Sequence, residues 1–359
     1  MNPERPLRRR GRGAVANPGS RFDQLRYLPD PDVEDAEALP TEVHLEVARS
    51  LISYNDSPDV GFDAGINVYR GCEHGCAYCF ARPTHEYLGL SAGLDFETKL
   101  FAKRNAPELL RAELRAAGWK PQPIGLSGAT DPYQPLERRL RLTRACLEVL
   151  AEARNPVVVI TKNELVTRDA DLLAEMAGDG LAAVCVSLPT VDAELSGSLE
   201  PRTSRPARRL RAVERLSARG IPVVALVAPV IPGLTDHEIP RILEQAADAG
   251  ATHAGYVVLR LPLTVAPLFE AWLQAHRPLA AAKVLQRIRQ MRGGRLYDAQ
   301  FGKRMRGQGP FAELIGQLFA GSCRRFGIDA TRPTLRSDRF RRPAGAADND
   351  DDQQLSLFD

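Results

Sequence analysis

Six short apolar runs, each followed by an amphipathic stretch, set the strongest limit on what this chain can fold into. They are INVY at 66–69, PIGLSG at 123–128, PVVVIT at 156–161, LAAVCVSL at 181–188, PVVALVAP at 222–229 and AGYVVLR at 254–260. A strand with one wet face alternates apolar and polar residues. These runs do not, so both their faces are covered, as in a parallel sheet wrapped by helices. The segments between them carry helical spacing and recognisable ends: NAPELLRAELRAAG with Asn105 as cap and Gly118 as stop, LTRACLEVLAEAR, TRDADLLAEMAGDG, RPARRLRAVERLSARG and TDHEIPRILEQAADAG. Strand and helix alternating in this way imply right-handed crossovers. Six units are too few to close an eight-stranded barrel. The expected fold class is therefore α/β, a partial (βα)6 barrel open on one side, with functional side chains at the C-terminal ends of the strands.

Residues 1–45 are rich in Arg, Pro, Gly and Asp without sustained periodicity, and read as a basic, largely flexible arm. The (βα)6 core is expected over 46–265 and a helical extension over 266–335, with helical stretches at 267–289 and 311–325. A disordered tail, basic and then acidic, is expected over 336–359. No charged-then-apolar leader opens the sequence, and its most apolar stretch, IPVVALVAPVIPGL, is too short and proline-rich to span a bilayer. The expected setting is the cytoplasm, with no membrane partner.

Six cysteines, three of them in RGCEHGCAYCFARP, point to a metal or cluster site in a reducing compartment rather than a disulfide framework. Cys72, Cys76 and Cys79 follow the first strand at C-x3-C-x2-C. Three thiolates on one loop can hold three irons of a cubane and leave the fourth iron open for a substrate. Zinc is the alternative, with His74 or His85 as fourth ligand, although structural zinc sites usually pair such a motif with a second, distant one.

The spacing, the position after the first strand and Tyr78 before the last cysteine resemble the radical S-adenosylmethionine (radical SAM) superfamily. The resemblance implies a four-iron four-sulfur cluster whose open iron chelates SAM. It also implies reductive cleavage to methionine and a 5'-deoxyadenosyl radical that abstracts hydrogen, and an electron donor such as flavodoxin or ferredoxin. Residues 60–265 resemble the spore photoproduct lyase branch and its uncharacterised bacterial relatives. The segments that carry the resemblance are INVYRGCEHGCAYCFARPTHEYLG, SGATDPYQPLE, ITKNELVTRDADLL, VSLPTVDAEL with SLEPR, and VAPVIPGLTDHE.

Each segment puts polar groups at a strand end: Thr130 and Asp131 after the second strand, Lys162 after the third, Ser187 at the fourth. A lysine there can pair with a carboxylate as a point charge, and hydroxyls can hold carboxylate and ribose oxygens. The resemblance implies SAM binding by Thr130, Lys162 and Ser187, adenine contact by Tyr78, and an approach of Gly233 to the adenosyl group; Asp131 joins them as a candidate. Plain structural roles stand beside these: Asp131 and Pro232-Gly233 as turn residues, Lys162 as surface charge, Ser187 as a cap. Arg260, ending the sixth strand, either pairs internally or meets a substrate phosphate. His85 and Glu86 read as loop scaffold, Cys146 and Cys185 as core, and Cys323 has no assigned role. The resemblance implies a cysteine after the second strand that returns a hydrogen atom to the product radical. Here that stretch is Ser127-Gly128-Ala129-Thr130, which leaves Tyr133, or a cysteine from elsewhere, for the role.

Net charge is only +3, but RPLRRRGRG and RSDRFRRP concentrate positive charge near the two ends, with DNDDD behind the second. Such runs suit phosphate backbones. QLSLF at 354–358 resembles the short consensus that binds the bacterial DNA polymerase sliding clamp. Gln354 would be the hydrogen-bonding anchor, and Leu355, Leu357 and Phe358 the apolar plugs. The expected function is a radical SAM enzyme acting on DNA, in lesion repair or base modification. RNA or protein substrates, or a cluster-bearing adaptor without turnover, are the alternatives.

Overall fold

The computed structural model describes residues 11–19, 21–22 and 39–344. Its strands are β1 (Glu42–Glu46), β2 (Ile52–Tyr54), β3 (Ala64–Ile66), β4 (Tyr69–Arg70), β5 (Lys99–Lys103), β6 (Ile124–Leu126), β7 (Val157–Thr161), β8 (Ala182–Ser187), β9 (Val223–Val230) and β10 (His253–Val258). The large sheet has the order β10-β9-β8-β7-β6-β3-β2. Six of its strands, one at each apolar run, are parallel, and β2 lies antiparallel against β3 at the edge. The sheet curls without closing, so the partial barrel expected from the repeat count is the fold observed. A small sheet, β1-β5-β4, stands beside it.

Alternation along the strands separates two environments, because successive side chains point to opposite faces. Val157, Val159, Val184, Val186, Val223 and Ala225 pack into the core. Their neighbours Val158, Ile160, Ala183, Cys185, Val224 and Leu226 face a cavity inside the curl. Two segments meet across its open side: Gly302 N–H donates to Asp59 Oδ1 at 2.8 Å, and Arg304 Nε to Asp59 Oδ2 at 2.6 Å. Among the described residues no helix is long and apolar enough to cross a membrane.

The structure departs from the sequence reading in four places. The first strand ends at Ile66 because the Asn67 side chain accepts from Ala129 N–H (2.9 Å), and the chain then crosses to the small sheet at Tyr69. Asn105 does not cap its helix, Ala106–Arg115: its amide is spent pairing both backbone groups of Ala48, at 2.9 Å each. The stretch read as one helix over 267–289 is two, Val265–His276 and Pro278–Met291, broken at non-helical Arg277 where Pro278 starts the second. The run RSDRFRR is docked, not disordered. Arg336 N–H donates to Gly180 O, Arg341 N–H to Ala153 O, and Arg342 Nη1 to Arg115 O at 2.9 Å, so these backbone and guanidinium donors satisfy carbonyls at helix ends. The expected clamp motif, 354–358, and most of the N-terminal basic run lie outside the described residues.

Candidate functional site

Cys72, Cys76 and Cys79 lie on the loop after β4, all three as free thiols, and line one wall of a cavity of about 1020 Å³. The loop is shaped by its own chain and by one buried ion pair. Cys72 N–H donates to Phe96 O (2.9 Å) and Cys79 N–H to Cys76 O (3.2 Å). Arg82, fully buried, gives Nε and Nη2 to Cys76 O (3.0 and 2.9 Å) and Nη1 to Ala92 O and Gly93 O, while Nη2 also meets Glu97 Oε1 at 2.6 Å. Glu97, equally buried, accepts from Gly13 N–H (3.0 Å) and Ala14 N–H (2.8 Å). Residues 13–15 of the stretch read as an arm thus lie against the loop, with Val15 packed beside Cys76 and Tyr78. Gly75 is left-handed (φ +65°), and a Cβ there would come 2.7 Å from Glu97.

The donor set fits an iron–sulfur cluster better than a single ion. Burial pushes the thiols of Cys76 and Cys79 up, and metal binding would deprotonate them. Each histidine offered as a zinc ligand is engaged through Nε2, while its buried Nδ1 makes no hydrogen bond. His74 lies between Asp131 (Nδ1 to Oδ2, 3.4 Å) and Asn163 (Nε2 to Nδ2, 3.2 Å), and His85 Nε2 is 2.9 Å from Lys99 O with its ring against Phe96 and Phe101. Among the described residues no group of three or more His, Cys, Asp or Glu is arranged to cage one ion.

Several strand-end candidates converge on the same cavity. Tyr78, Thr130, Asp131, Lys162 and Ser187 line it. Lys162 Nζ lies 6.0 Å from the Tyr78 ring centre and, among the described residues, makes no ion pair. Tyr78 donates its hydroxyl to Glu200, which is buried and paired with Arg209. Burial alone would raise the Glu200 carboxyl; the charges of Arg209 and Lys162 outweigh it and hold it below its usual range. Thr130 Oγ1 donates to Gly71 O at 2.8 Å. Asp131 is fully engaged: Oδ1 accepts from Tyr133 N–H (2.9 Å) and Thr161 Oγ1 (2.7 Å), and Oδ2 from Lys162 N–H (2.8 Å), with His74 alongside. Despite its burial, His74 and these donors hold the carboxyl down to about 2. The turn reading of Asp131 is the one its geometry matches.

Three readings move. Tyr133 does not line the cavity; it is buried elsewhere, its hydroxyl 3.0 Å from Asp169 Oδ2 with Arg168 over the ring. Gly233 is a left-handed turn residue (φ +79°) whose N–H donates to Asp236, and Ala228 and Pro229 line the cavity from β9 instead. Cys185, read as core, faces the cavity between Ile160 and Val224 in register. Two features were missed: the Glu200–Arg209 pair and the Asp59–Arg304 closure. Asp59 and Arg304 lie far apart in sequence, and the nine residues between Glu200 and Arg209 fit no simple helical spacing, so no local pattern announces either pair. The side of the sheet taken by Cys185 was legible in the two-residue period of LAAVCVSL.

A family model described as the Radical SAM superfamily matches residues 66–246, half of the chain. An uncharacterized protein of Mycobacterium tuberculosis (strain ATCC 25618 / H37Rv) is 40% identical over 215 residues, 59% of this chain and 63% of that protein. One from Methanocaldococcus jannaschii is 29% identical over 173 residues, 48% of this chain and 62% of that protein. The chain therefore spans less than two thirds of the length of these curated relatives. Among solved structures, a mutant of spore photoproduct lyase has a TM-score of 0.59 at 16% identity, covering 87% of this chain and 88% of that one. The same lyase complexed with dinucleoside spore photoproduct has a TM-score of 0.58 at 14% identity, covering 86% and 87%. At these identities the likeness is one of fold.

Glu97→Gln should cost about 3–5 kcal/mol of stability, because it leaves the buried Arg82 charge uncompensated. Urea unfolding with an unchanged slope would measure it, and a loss below about 1 kcal/mol would contradict the clamp. Tyr133→Phe deletes one hydrogen bond outside the cavity. It should lower stability by about 1 kcal/mol and leave SAM affinity unchanged in equilibrium binding.

Proposed function

Because the chain belongs to the radical SAM superfamily, we propose that it is a radical enzyme that acts on DNA, in lesion repair or base modification. Its cofactors are those of the superfamily, a four-iron four-sulfur cluster and SAM. The single observation that carries the proposal is that three free thiols of one loop, and polar side chains from successive strand ends, line one cavity. When bound, the cluster supplies the electron that cleaves SAM to methionine and a 5'-deoxyadenosyl radical.

The chain's own residues would do the rest. Cys72, Cys76 and Cys79 would hold the cluster. Lys162, which lines the cavity and makes no ion pair among the described residues, would take the SAM carboxylate as a point charge. The Tyr78 ring, fixed by Glu200 and Arg209, would meet adenine, and Ser187 and Thr130 would lend oxygens to the polar end of the ligand. Asp131 would act indirectly, by fixing the β7 end from which Lys162 projects. Cys185 replaces Tyr133 as the group placed to return a hydrogen atom: burial pushes its thiol up to about 12 against the opposing charge of Arg332, so the sulfur keeps its hydrogen.

The DNA part of the proposal rests on the fold shared with a lyase solved with a dinucleoside lesion, on the N-terminal basic run, and on QLSLF as a tether to the sliding clamp. The run at 336–342 no longer supports it, since Arg336, Arg339 and Arg342 are engaged by the protein itself. An external one-electron donor of the flavodoxin or ferredoxin kind completes the set of partners.

Anaerobic incubation of the iron-reconstituted protein with SAM and a reductant should yield 5'-deoxyadenosine by chromatography, and Cys76→Ala should lose both that product and the brown chromophore. Absence of product from the fully loaded wild type would defeat the enzyme reading. Removing residues 353–359 should abolish sliding-clamp binding in surface plasmon resonance while SAM cleavage persists; unchanged clamp affinity would refute the tether.

A further inference from the structure

Arg260, Arg306 and Arg332 line the same cavity as the cysteines, and among the described residues none of them makes an ion pair. Arg260 lies over the Phe80 ring at 4.7 Å; its Nη1 has only the Met305 sulfur at 3.6 Å, and its Nε is buried without a hydrogen-bond partner. Of the two alternatives the sequence left for it, the internal ion pair is not formed. Arg332 lies directly against the backbone of Gly61, where a Cβ would fall 1.6 Å from its Nη1 and displace the guanidinium from this position. Arg306 stacks on Tyr256 at 3.6 Å.

Among the described residues no carboxylate of the lining forms an ion pair with this group, although the Asp59 carboxyl, lowered chiefly by Gly302 N–H, also feels the charge of Arg260. Both oxygens of Asp59 are taken by Gly302 N–H and Arg304, those of Asp131 by Thr161 and Lys162 N–H at the end of β7, and Asp56 makes no ion pair with any of the three arginines. Unpaired guanidinium groups on a concave, partly apolar wall concentrate positive potential there. Guanidinium forks match phosphate oxygens. Beside them Phe80 and Phe301 each carry a guanidinium over one face, Arg260 at 4.7 Å and Arg304 at 4.5 Å, and stay 47% and 48% exposed, which leaves ring surface on which bases can stack. Charge with exposed aromatic faces fits a polynucleotide better than a free anion.

We infer that Arg260, Arg306 and Arg332 form a subsite for the phosphodiester backbone of a single-stranded or locally unpaired nucleic acid, held in the cavity that the cysteine loop lines. The inference deepens the nucleic-acid reading above and rests on it. The two can nevertheless fail separately.

The test is fluorescence anisotropy of the full chain with short labelled single-stranded DNA and RNA of one sequence, over a series of salt concentrations. Arg260→Gln and Arg332→Gln should each bind about tenfold more weakly at low salt. Each should also lower the slope of log affinity against log salt by about 0.7. Arg260→Lys, which keeps the charge, should keep the slope. Arg336→Gln, whose guanidinium pairs with Asp338 outside the cavity, should match wild type. The tighter of the DNA and RNA arms identifies the source of the backbone. Unchanged slopes in both glutamine variants, or an equal loss in Arg336→Gln, would overturn the subsite. If wild type cleaves SAM while the slopes stay fixed, the subsite fails and the radical reading stands; if the slopes fall and no SAM is cleaved, the reverse holds.

Discussion

Arg82 and Glu97 are both without solvent exposure, and the shape of the cysteine loop depends on their pairing. Taking two opposite charges out of water costs several kcal/mol per ion, repaid only where the geometry is good and the remaining donors and acceptors are satisfied. Here they are: the guanidinium holds the carbonyls of Cys76, Ala92 and Gly93, and the carboxylate holds Gly13 and Ala14 N–H. The pair therefore welds three stretches of chain around the thiols before any metal arrives. Asp131 plays the corresponding part at the strand ends, joining the loop after β6 to β7 and, through His74, to the cysteine loop.

What was legible in the sequence followed from period and spacing. Val-, Ile- and Ala-rich runs without alternation announced a sheet covered on both sides, and six of them announced a barrel too short to close. C-x3-C-x2-C after the first strand announced three thiols on one loop, and the structure sets Cys72, Cys76 and Cys79 on one cavity wall. The position of Lys162 and Ser187 at the cavity followed from the rule that parallel strands present side chains for chemistry at their C-terminal ends.

What was not legible depended on partners distant in sequence. Nothing around Tyr133 shows that its hydroxyl will be taken by Asp169, or around Asn105 that its amide will serve Ala48. RSDRFRR looked like a free basic tail because the helix ends it docks on, at Arg115, Ala153 and Gly180, lie far upstream. The C-terminal run is engaged by the protein's own carbonyls and carboxylates, while three arginines along the cavity make no ion pair among the described residues. The positive charge that the fold presents beside the cysteine loop comes from Arg260, Arg306 and Arg332, which belong to neither terminal run.

Three thiols, a fixed loop and Lys162 on one cavity support the proposal that a cluster held here would keep one iron open for SAM. Electron paramagnetic resonance of the anaerobically reduced protein, before and after addition of SAM, tests that claim most directly. A spectrum that changes on addition in wild type is the predicted result. Identical spectra at saturating SAM would contradict the account.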